Sequence, residues 1–390
     1  MSLLFEPLTL KGITLRNRIV KSALRENTAT PDGLPTDATL RLYERWARGG
    51  AGLLITGDAY VSEAGQAAAR QHGVHTDAIV PAWREIIKAV HRSGARIAMQ
   101  LNHGGRQIKP GGLSGRRAVA PSASPNLLYF SWARRMSEEE IWQAIQDFGT
   151  AAARARAAGF DAVEIHAAHG YLISSFLSPL TNRRRDDWGG SSDRRFCFLA
   201  EVYRAVRAKV GEDFPVLCKL NADDFVVVGL RPEQSFAIAR RLADMGLDAL
   251  EISGGIAETA TWMARGGFPA DITGRGRSQL ARLYLRAAGS IRPSFEEAYF
   301  LPYAGKLGPV LDIPVILVGG IRDPRTAEEI MERGMADLIA MGRPLIREPA
   351  LPNKWAAGSR EAAQCRSCNR CLAEMDQGSP LKCYYTANQT

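Results

Sequence analysis

Short apolar runs alternate with longer amphipathic stretches along most of the chain. Each apolar run has the length of a buried strand, and each amphipathic stretch has helical periodicity and ends near a glycine. Eight strands are predicted, at residues 19–24, 52–56, 96–101, 161–165, 215–220, 248–253, 313–318 and 336–341. A predicted helix follows each strand, which is the repeat of parallel βαβ units.

Eight such repeats favour an α/β fold in which the strands close into a (β/α)8 TIM barrel. An open doubly wound sheet would carry a glycine fingerprint after its first strand, and the sequence has none there. Two long connections, residues 166–192 and 254–294, would both lie at the catalytic end of the barrel, and the second is expected to be irregular. We assign the barrel to residues 1–350 and a cysteine-rich C-terminal extension to residues 351–390.

Charge and hydropathy narrow the class of protein. The 390 residues carry 50 Lys and Arg against 41 Asp and Glu, a formal net charge of +9, and the arginines are scattered. Because no basic tract with interleaved aromatic residues is present, nucleic-acid binding is not expected. The sequence also has no signal peptide and no apolar run of roughly 18 residues. We therefore expect a soluble cytoplasmic protein without membrane contact.

Three polar rings follow the fourth predicted strand: His166, His169 and Tyr171. Polar side chains just past the carboxyl end of a strand are where an α/β barrel keeps its chemistry. Histidines spaced i, i+3 suit metal binding, although no carboxylate or third histidine stands at an obvious spacing. Alternatively, two ring donors polarise a substrate carbonyl while the tyrosine hydroxyl supplies a proton.

Two further polar residues interrupt apolar strands, Gln100 in the third and Lys219 in the fifth. A lysine inside a barrel strand is costly unless it is paired or functional. It would form a Schiff base, as in barrel aldolases, or stabilise a developing negative charge.

The last two strands end in glycine-rich turns, Gly319-Gly320 and Gly342-Arg343. Loops at this position frequently bind phosphate through backbone N–H groups, and an arginine adds a bidentate partner. Together with Gln100 and Lys219, these residues predict a phosphorylated ring system that lies across the barrel mouth.

The motifs LRNRIV, QLNHGGR, HAAHGY, LSPLTNRRRDDWGGS, VGGIRD and MGRP occur in this order. This set resembles the old yellow enzyme family, which comprises FMN-dependent ene-reductases and NAD(P)H:flavin oxidoreductases built on a (β/α)8 barrel. The match covers roughly residues 3–350. It implies FMN as cofactor and NAD(P)H as reductant.

The resemblance also implies which residues hold FMN. Lys219 stands where the family usually has an arginine beside flavin N1. The Gln100 amide and backbone near the first two strands would contact the flavin ring, and the glycine-rich turns would hold the phosphate. The expected cofactor-binding residues are Ser22, Ala23, Asp58, Gln100, Lys219, Gly319, Gly320, Gly342 and Arg343.

The implied catalytic residues are the three polar rings. His166 and His169 match the pair that binds the carbonyl or nitro group of the substrate, and Tyr171 matches the proton donor to the α-carbon. Hydride would pass from flavin N5 to the β-carbon of an activated C=C bond. Arg25 departs from the family, since many members have Cys or Thr there; pointing inward, it would place a cation near the flavin, and otherwise it would face solvent.

Four cysteines crowd the end of the chain, Cys365, Cys368, Cys371 and Cys383. Their spacing suits a [4Fe–4S] cluster or a four-cysteine zinc site, and a site without metal stays open. The flavoprotein branch that contains bacterial 2,4-dienoyl-CoA reductase and trimethylamine dehydrogenase has a related [4Fe–4S] run, with one residue more at one spacing. Those relatives continue into electron-supplying domains, so the resemblance implies that this chain has lost that electron source or uses a separate electron-transfer partner.

Three other functions stay open. The resemblance to trimethylamine dehydrogenase allows oxidative C–N cleavage of a methylated amine. A Schiff-base lyase would use Lys219 without a flavin, and a non-catalytic redox module would use only the cysteines. For the enzymes the ligand is a small molecule, and a homo-oligomer is expected.

Overall fold

The structure, a computed structural model, describes residues 2–108, 117–127, 129 and 131–385. The strands are Leu8–Leu10 (β1), Ile13–Leu15 (β2), Ile19–Lys21 (β3), Leu53–Ile55 (β4), Ala59–Tyr60 (β5), Arg96–Asn102 (β6), Val119–Ala120 (β7), Ser124–Asn126 (β8), Ser131–Arg135 (β9), Ala162–Ala167 (β10), Val216–Asn221 (β11), Ala249–Ser253 (β12), Val315–Val318 (β13) and Leu338–Met341 (β14). The α-helices are Asp37–Arg48 (α1), Ile79–Arg92 (α2), Glu138–Ala158 (α3), Leu172–Leu177 (α4), Ser192–Val210 (α5), Pro232–Asp244 (α6), Ala260–Met263 (α7), Ala270–Thr273 (α8), Gln279–Ser290 (α9), Leu301–Leu307 (α10), Pro324–Glu332 (α11), Arg343–Arg347 (α12), Leu351–Ala356 (α13) and Arg370–Asp376 (α14).

Among the described residues, eight parallel strands close into a barrel in the order β3, β4, β6, β10, β11, β12, β13 and β14. Strand β14 pairs back with β3, and the β6–β10 pair completes the ring. These strands correspond to the eight predicted from the sequence, so the (β/α)8 barrel is confirmed. The register places Lys219 beside Glu251 and Glu164 beside Gln100, which puts polar side chains at one level of the barrel.

Small and branched apolar residues from every barrel strand fill the interior below that level. Leu10 and Leu15, from the β1–β2 hairpin, pack against this interior cluster. Since one end of the barrel is filled by apolar side chains, its polar chemistry is confined to the carboxyl end.

The helices form an outer layer whose buried faces pack on the barrel. Helix α3 illustrates how its ends are set by sequence. The Ser137 hydroxyl accepts the Glu140 N–H at 3.3 Å, and the Glu140 carboxylate accepts the Ser137 N–H at 2.9 Å. Gly159, with φ +100°, ends the helix. These contacts form a capping box at one end of the helix and a glycine stop at the other.

Two expectations, one about the end of the first barrel strand and one about a long connection, need correction. The first barrel strand ends at Lys21 instead of residue 24, which frees residues 22–24 to line the mouth of the barrel. The connection 254–294 is not irregular, because it contains α7, α8 and α9. Helix α9 forms because Leu and Ala recur at helical spacing after Ser278, whose hydroxyl accepts the Ala281 N–H.

The C-terminal extension packs across the barrel mouth. The Asn27 side chain donates to the carbonyls of Met375 and Ser379 at 2.7 and 3.0 Å, and the Leu381 N–H donates to the Glu26 carbonyl. These contacts join the loop after β3 to the segment around α14. In the described part of the chain, none of the helices combines the length and apolar character needed to cross a bilayer.

Candidate active site at the carboxyl end of the barrel

A cavity of about 380 Å³ opens at the carboxyl end of the barrel. All twelve residues predicted to be catalytic or to bind the cofactor contribute to its wall. They come from β6, β10 and β11, from the loops that follow β3, β4, β10, β13 and β14, and from the first residue of α12. Strand topology thus gathers residues that are up to about 320 positions apart in the chain.

The floor of the cavity is a buried polar layer. The Lys219 ammonium lies 3.1 Å from Glu251 Oε1, 3.9 Å from Glu164 Oε2 and 3.3 Å from the Ser22 hydroxyl. Ser22 in turn donates to Glu251 at 2.8 Å, and the Gln100 amide donates to Glu164 at 2.5 Å. The layer therefore fixes an ammonium, an amide and a hydroxyl at the bottom of the pocket.

The charges in this layer decide the state of Lys219. Burial disfavours the ammonium, but Glu251 and Glu164 outweigh burial, so the pKa of Lys219 is raised. Burial is also the main cause that raises the pKa of Glu164 well above its usual value. A protonated lysine held between carboxylates is a poor amine nucleophile, so this geometry does not favour the Schiff-base alternative.

His166, at the end of β10, is buried and neutral. Burial is the main cause that lowers its pKa well below the usual value, and His169, Lys219 and Arg25 add to the effect. Its Nδ1 accepts the Ala168 N–H at 3.2 Å, so a neutral ring carries its proton on Nε2. His166 thus has an N–H that is not used by the local backbone.

His169 lies beside His166, with ring centroids 5.0 Å apart. It adopts a left-handed backbone conformation, φ +64°, and its N–H donates to the Asn221 side chain at 3.1 Å. Its Nε2 lies 2.7 Å from the Ser253 hydroxyl. Burial, followed by the charge of Lys219, lowers its pKa to about 3, so this ring is neutral too.

Tyr171 completes the ring cluster, with its centroid 5.0 Å from that of His166. Its hydroxyl accepts an N–H from Arg25 at 2.8 Å. Arg25 therefore points inward, which answers the question that the sequence left open. Its other contacts form a two-point ion pair with Asp58, at 3.1 and 2.9 Å.

The glycine turns provide a second wall. Gly319 and Gly320 have φ values of +123° and +80°, in the region that favours glycine. A Cβ on Gly319 would lie 2.8 Å from the Phe300 ring, and one on Gly320 would lie 2.8 Å from the Tyr299 ring. Bare backbone at this wall fits the close approach of a large planar cofactor and its phosphate.

Arg343 stands on the wall that separates this pocket from the cysteine site. Its guanidinium donates to the Arg265 carbonyl at 2.8 Å and to the Asn369 side chain. Both the pocket and a smaller cavity of about 20 Å³ are lined by Arg343 and Asn369. The predicted phosphate contact of Arg343 stays a prediction.

All four predicted cysteine ligands line the smaller cavity: Cys365, Cys368, Cys371 and Cys383. They are free thiols, and burial raises the pKa of Cys371 to about 12. Over residues 2–108, 117–127, 129 and 131–385, no group of three or more His, Cys, Asp or Glu side chains is arranged to hold a metal ion. The metal site stays a prediction.

Part of the pocket wall comes from the extension, which the sequence reasoning did not foresee. Leu372, Met375 and Asp376 of α14 line the cavity. The Tyr129 hydroxyl donates to Asp376 at 3.2 Å, and Arg277 pairs with the same carboxylate at 3.0 Å. The sequence held no local signal for this contact, because the three partners come from distant segments.

Glu164 and Glu251, which hold Lys219 in the floor of the pocket, were also missed. A signal was available, since each interrupts an apolar strand, DAVEIH and DALEIS, as Lys219 does in PVLCKL. Acidic residues in apolar strands are rarely left unpaired, and these two pair with Lys219.

A sequence model of the NADH:flavin oxidoreductase / NADH oxidase family matches residues 3–361. NADH oxidase from Thermoanaerobacter brockii is 37% identical over 369 residues, which cover 94% of this chain and 52% of that protein. A 4,4'-dithiodibutanoate disulfide reductase from Rhodococcus erythropolis is 35% identical over 96% of this chain and 94% of its own length.

Solved structures agree with the sequence comparison. An old yellow enzyme homologue from Zymomonas mobilis superposes with a TM-score of 0.73 at 29% identity, covering 94% of this chain and 96% of that one. This chain spans about half the length of several curated relatives that it matches. The family match and the barrel geometry lead to one conclusion: the chain belongs to the NADH:flavin oxidoreductase / NADH oxidase family, the old yellow enzyme family, whose members use FMN and NAD(P)H.

Proposed function

We propose that the chain is an FMN-dependent NAD(P)H oxidoreductase that reduces a C=C bond activated by a carbonyl or nitro group. One observation carries this proposal: His166, Tyr171 and the donor floor of Lys219 and Gln100 face a single cavity. When bound, FMN would supply the hydride-transfer chemistry that links NAD(P)H to the β-carbon of the substrate. Every other contribution would come from the backbone and side chains of the chain itself.

The cofactor would be held from two sides. The ammonium of Lys219 and the side-chain amide of Gln100 carry further N–H groups that fit the acceptor heteroatoms of a flavin ring. The bare backbone at Gly319 and Gly320 fits its phosphate side. The proposed flavin contacts are Ser22, Ala23, Asp58, Gln100, Lys219, Gly319, Gly320, Gly342 and Arg343.

The substrate would be oriented by the two histidines. His166 offers its Nε2 proton, because Nδ1 already accepts from the backbone. A neutral imidazole donates a hydrogen bond without protonating the carbonyl outright, so it polarises the C=C bond for hydride addition. His169, fixed by Ser253 and Asn221, would hold the same oxygen or set the position of His166.

Tyr171 would supply the proton to the α-carbon. Burial is the main cause that raises its pKa to about 12, so its hydroxyl stays protonated at neutral pH. A phenol that stays protonated at neutral pH can act as a general acid at the cavity wall.

The four cysteines would bind a metal centre, with [4Fe–4S] favoured over zinc. Their thiols line one cavity, so a metal bound there would draw them together into a four-thiolate donor set. A cluster there would exchange electrons with a separate partner protein. The proposal also includes a barrel domain at residues 1–350, an extension at residues 351–390 and assembly as a cytoplasmic homo-oligomer.

The test separates the two half-reactions in anaerobic stopped flow with FMN-loaded protein. Tyr171→Phe should slow reoxidation by 2-cyclohexenone about 100-fold or more, while reduction by NADPH keeps its rate. Tyr203→Phe is the matched control, because Tyr203 is a buried tyrosine on α5 whose hydroxyl also accepts from an arginine, outside the pocket. Protein that binds no FMN, or equal loss in both half-reactions, would contradict the proposal.

Two substrate arms test the competing reactions. One relative is a disulfide reductase and another is an N,N-dimethylglycine/sarcosine dehydrogenase. Reoxidation of the reduced protein by 4,4'-dithiodibutanoate, with none by enones or nitroalkenes, would replace C=C reduction by disulfide reduction. Flavin bleaching by sarcosine would favour C–N cleavage instead.

A further inference from the structure

Arg25 donates a hydrogen bond to the hydroxyl of the proposed proton donor, Tyr171. The Arg25 side chain is 12% exposed, and one guanidinium nitrogen bridges Tyr171 Oη at 2.8 Å and Asp58 Oδ2 at 2.9 Å. Asp58 is itself fixed by the side-chain amides of Gln71 and Asn102, at 2.8 and 3.0 Å. Asp58 thus holds the guanidinium in place, and the guanidinium donates to the Tyr171 hydroxyl.

This contact constrains the phenol. A guanidinium only donates hydrogen bonds, so the Tyr171 oxygen must be the acceptor. The hydroxyl proton therefore points away from Arg25, and the ring of Tyr171 lines the cavity. A hydroxyl whose oxygen is anchored and whose proton is turned away from its anchor is poised to donate.

We propose that Arg25 is a positioning residue that orients the Tyr171 hydroxyl and stabilises the tyrosinate formed when Tyr171 gives up its proton. This inference rests on the proposed function of the same site. In the step itself, the Oη–H bond breaks and a C–H bond forms at the substrate α-carbon. The negative charge that hydride addition placed on the substrate passes to the Tyr171 oxygen, beside the guanidinium.

The charged groups around Tyr171 determine the direction in which its pKa is shifted. Burial, Asp58 and Asp376 all raise the pKa of Tyr171, whereas the charge of Arg25 lowers it. His166 and Tyr129 also lie close to the ring. Burial disfavours the Arg25 charge, but Asp58 outweighs burial and raises the Arg25 pKa, so the guanidinium stays charged in the pocket.

The chain contains a matched arrangement outside the pocket. Arg207 donates to the Tyr203 hydroxyl at 3.4 Å and to Asp248 at 2.5 Å, so it repeats the arginine–carboxylate–tyrosine contact on the outer helix α5. Neither Arg207 nor Tyr203 lines the cavity. Substituting Arg207 therefore controls for the loss of a buried arginine pair.

The first experiment needs neither flavin nor activity. Difluorotyrosine replaces the ten tyrosines, and the 19F resonance of Tyr171 is identified by its absence from Tyr171→Phe protein. Arg25→Gln should move the titration midpoint of this resonance upward by about one pH unit or more. Arg25→Lys should move it less, and Arg207→Gln should leave it unchanged. An unmoved midpoint in Arg25→Gln would overturn the proposal.

The second experiment is a double-mutant cycle on reoxidation of the reduced, FMN-loaded enzyme by 2-cyclohexenone. Arg25→Gln should slow reoxidation about tenfold or more in the wild-type background. In the Tyr171→Phe background it should change the rate by less than about twofold, because the group through which it acts is gone.

The outcomes separate this proposal from its rivals. An equal slowing by Arg25→Gln in both backgrounds would mean that Arg25 contacts the substrate directly, which refutes a role through Tyr171. Recovery of most of the rate in Arg25→Lys would support the stabilising charge. Wild-type protein that fails to reduce enones would refute the proposed function, while the fluorine titration would still decide whether Arg25 controls Tyr171.

Discussion

Replacing Glu26 by Gln should destabilise the protein through one buried cluster next to the active-site loop. The Glu26 carboxylate accepts hydrogen bonds from the Gly57 N–H at 2.7 Å and from the Tyr43 hydroxyl. His72 lies 3.3 Å away and the Lys21 ammonium 3.8 Å away, all fully buried. Glu26 follows Arg25 directly, so the cluster also anchors the backbone that presents the guanidinium.

The expected loss of folding stability follows from the pKa of Glu26. Burial opposes its charge, but the hydrogen bond from His72 and the charge of Lys21 outweigh burial and lower the pKa from 4.5 to about 2. A depression of this size stabilises the folded state by about 3 kcal/mol at neutral pH. Because the folded pKa lies below the unfolded one, this contribution is complete above pH 4.5 and declines as the pH falls toward about 2.

Lys21 supplies the opposite contribution. Burial lowers its pKa from 10.5 to about 8, in spite of the attraction of Glu26. The cost of holding this ammonium is therefore also about 3 kcal/mol at neutral pH, and the pair as a whole comes out close to neutral. Removing one partner should lower the free energy of unfolding, whereas removing both should change it little.

The assay is urea unfolding of FMN-saturated protein, followed by circular dichroism. Glu26→Gln should lose about 3 kcal/mol near pH 7 and about half of that near pH 3. The double variant Lys21→Met, Glu26→Gln should recover most of the loss. Glu85→Gln, which breaks an exposed pair with Lys88, should leave the midpoint unchanged. A loss that is independent of pH, or that is deeper in the double variant, would refute this reasoning.

Three other variants test the pocket and the cysteine site. Gly320→Ala should weaken FMN binding about tenfold or more, because the added Cβ would lie 2.8 Å from the Tyr299 ring. Fluorescence titration of the flavin measures this affinity, and an unchanged value would count against a phosphate contact at Gly320. Lys219→Met should cost about 3–5 kcal/mol in urea unfolding because Glu251 loses its buried cation, and borohydride should trap no carbonyl compound on wild-type Lys219. Cys371→Ser should lower the metal content of anaerobically purified protein, and an unchanged content would remove Cys371 from the proposed ligands.

The sequence was sufficient for the barrel because every barrel strand is buried on both faces. Such strands read as continuous apolar runs, and the helices between them end at glycines. His166, Lys219 and Gln100 could be predicted for the same reason, since a polar residue at the end of an apolar run has only the carboxyl end of the barrel to face.

The contacts between these residues could not be predicted in the same way. Arg25 and Tyr171 are 146 positions apart, and only the closed barrel brings them within hydrogen-bond distance. The state of Lys219 depends on Glu164 and Glu251, whose level in the barrel is set by strand register. Helix α9 was missed because the glycines and arginines around it hid a short run of helix-forming residues.

The seam between Asn27 and the segment 375–381 has a consequence for how the protein is assembled. Its hydrogen bonds join residues 348 and 352 positions apart, a span similar to that between β3 and β14, whose pairing closes the barrel. Loop-closure entropy grows only slowly with loop length, so after β14 has paired with β3 the seam adds little entropic cost. We therefore expect the seam to form after the barrel has closed, while the mouth is still open. A bulky flavin would enter at that stage, before the seam closes behind it.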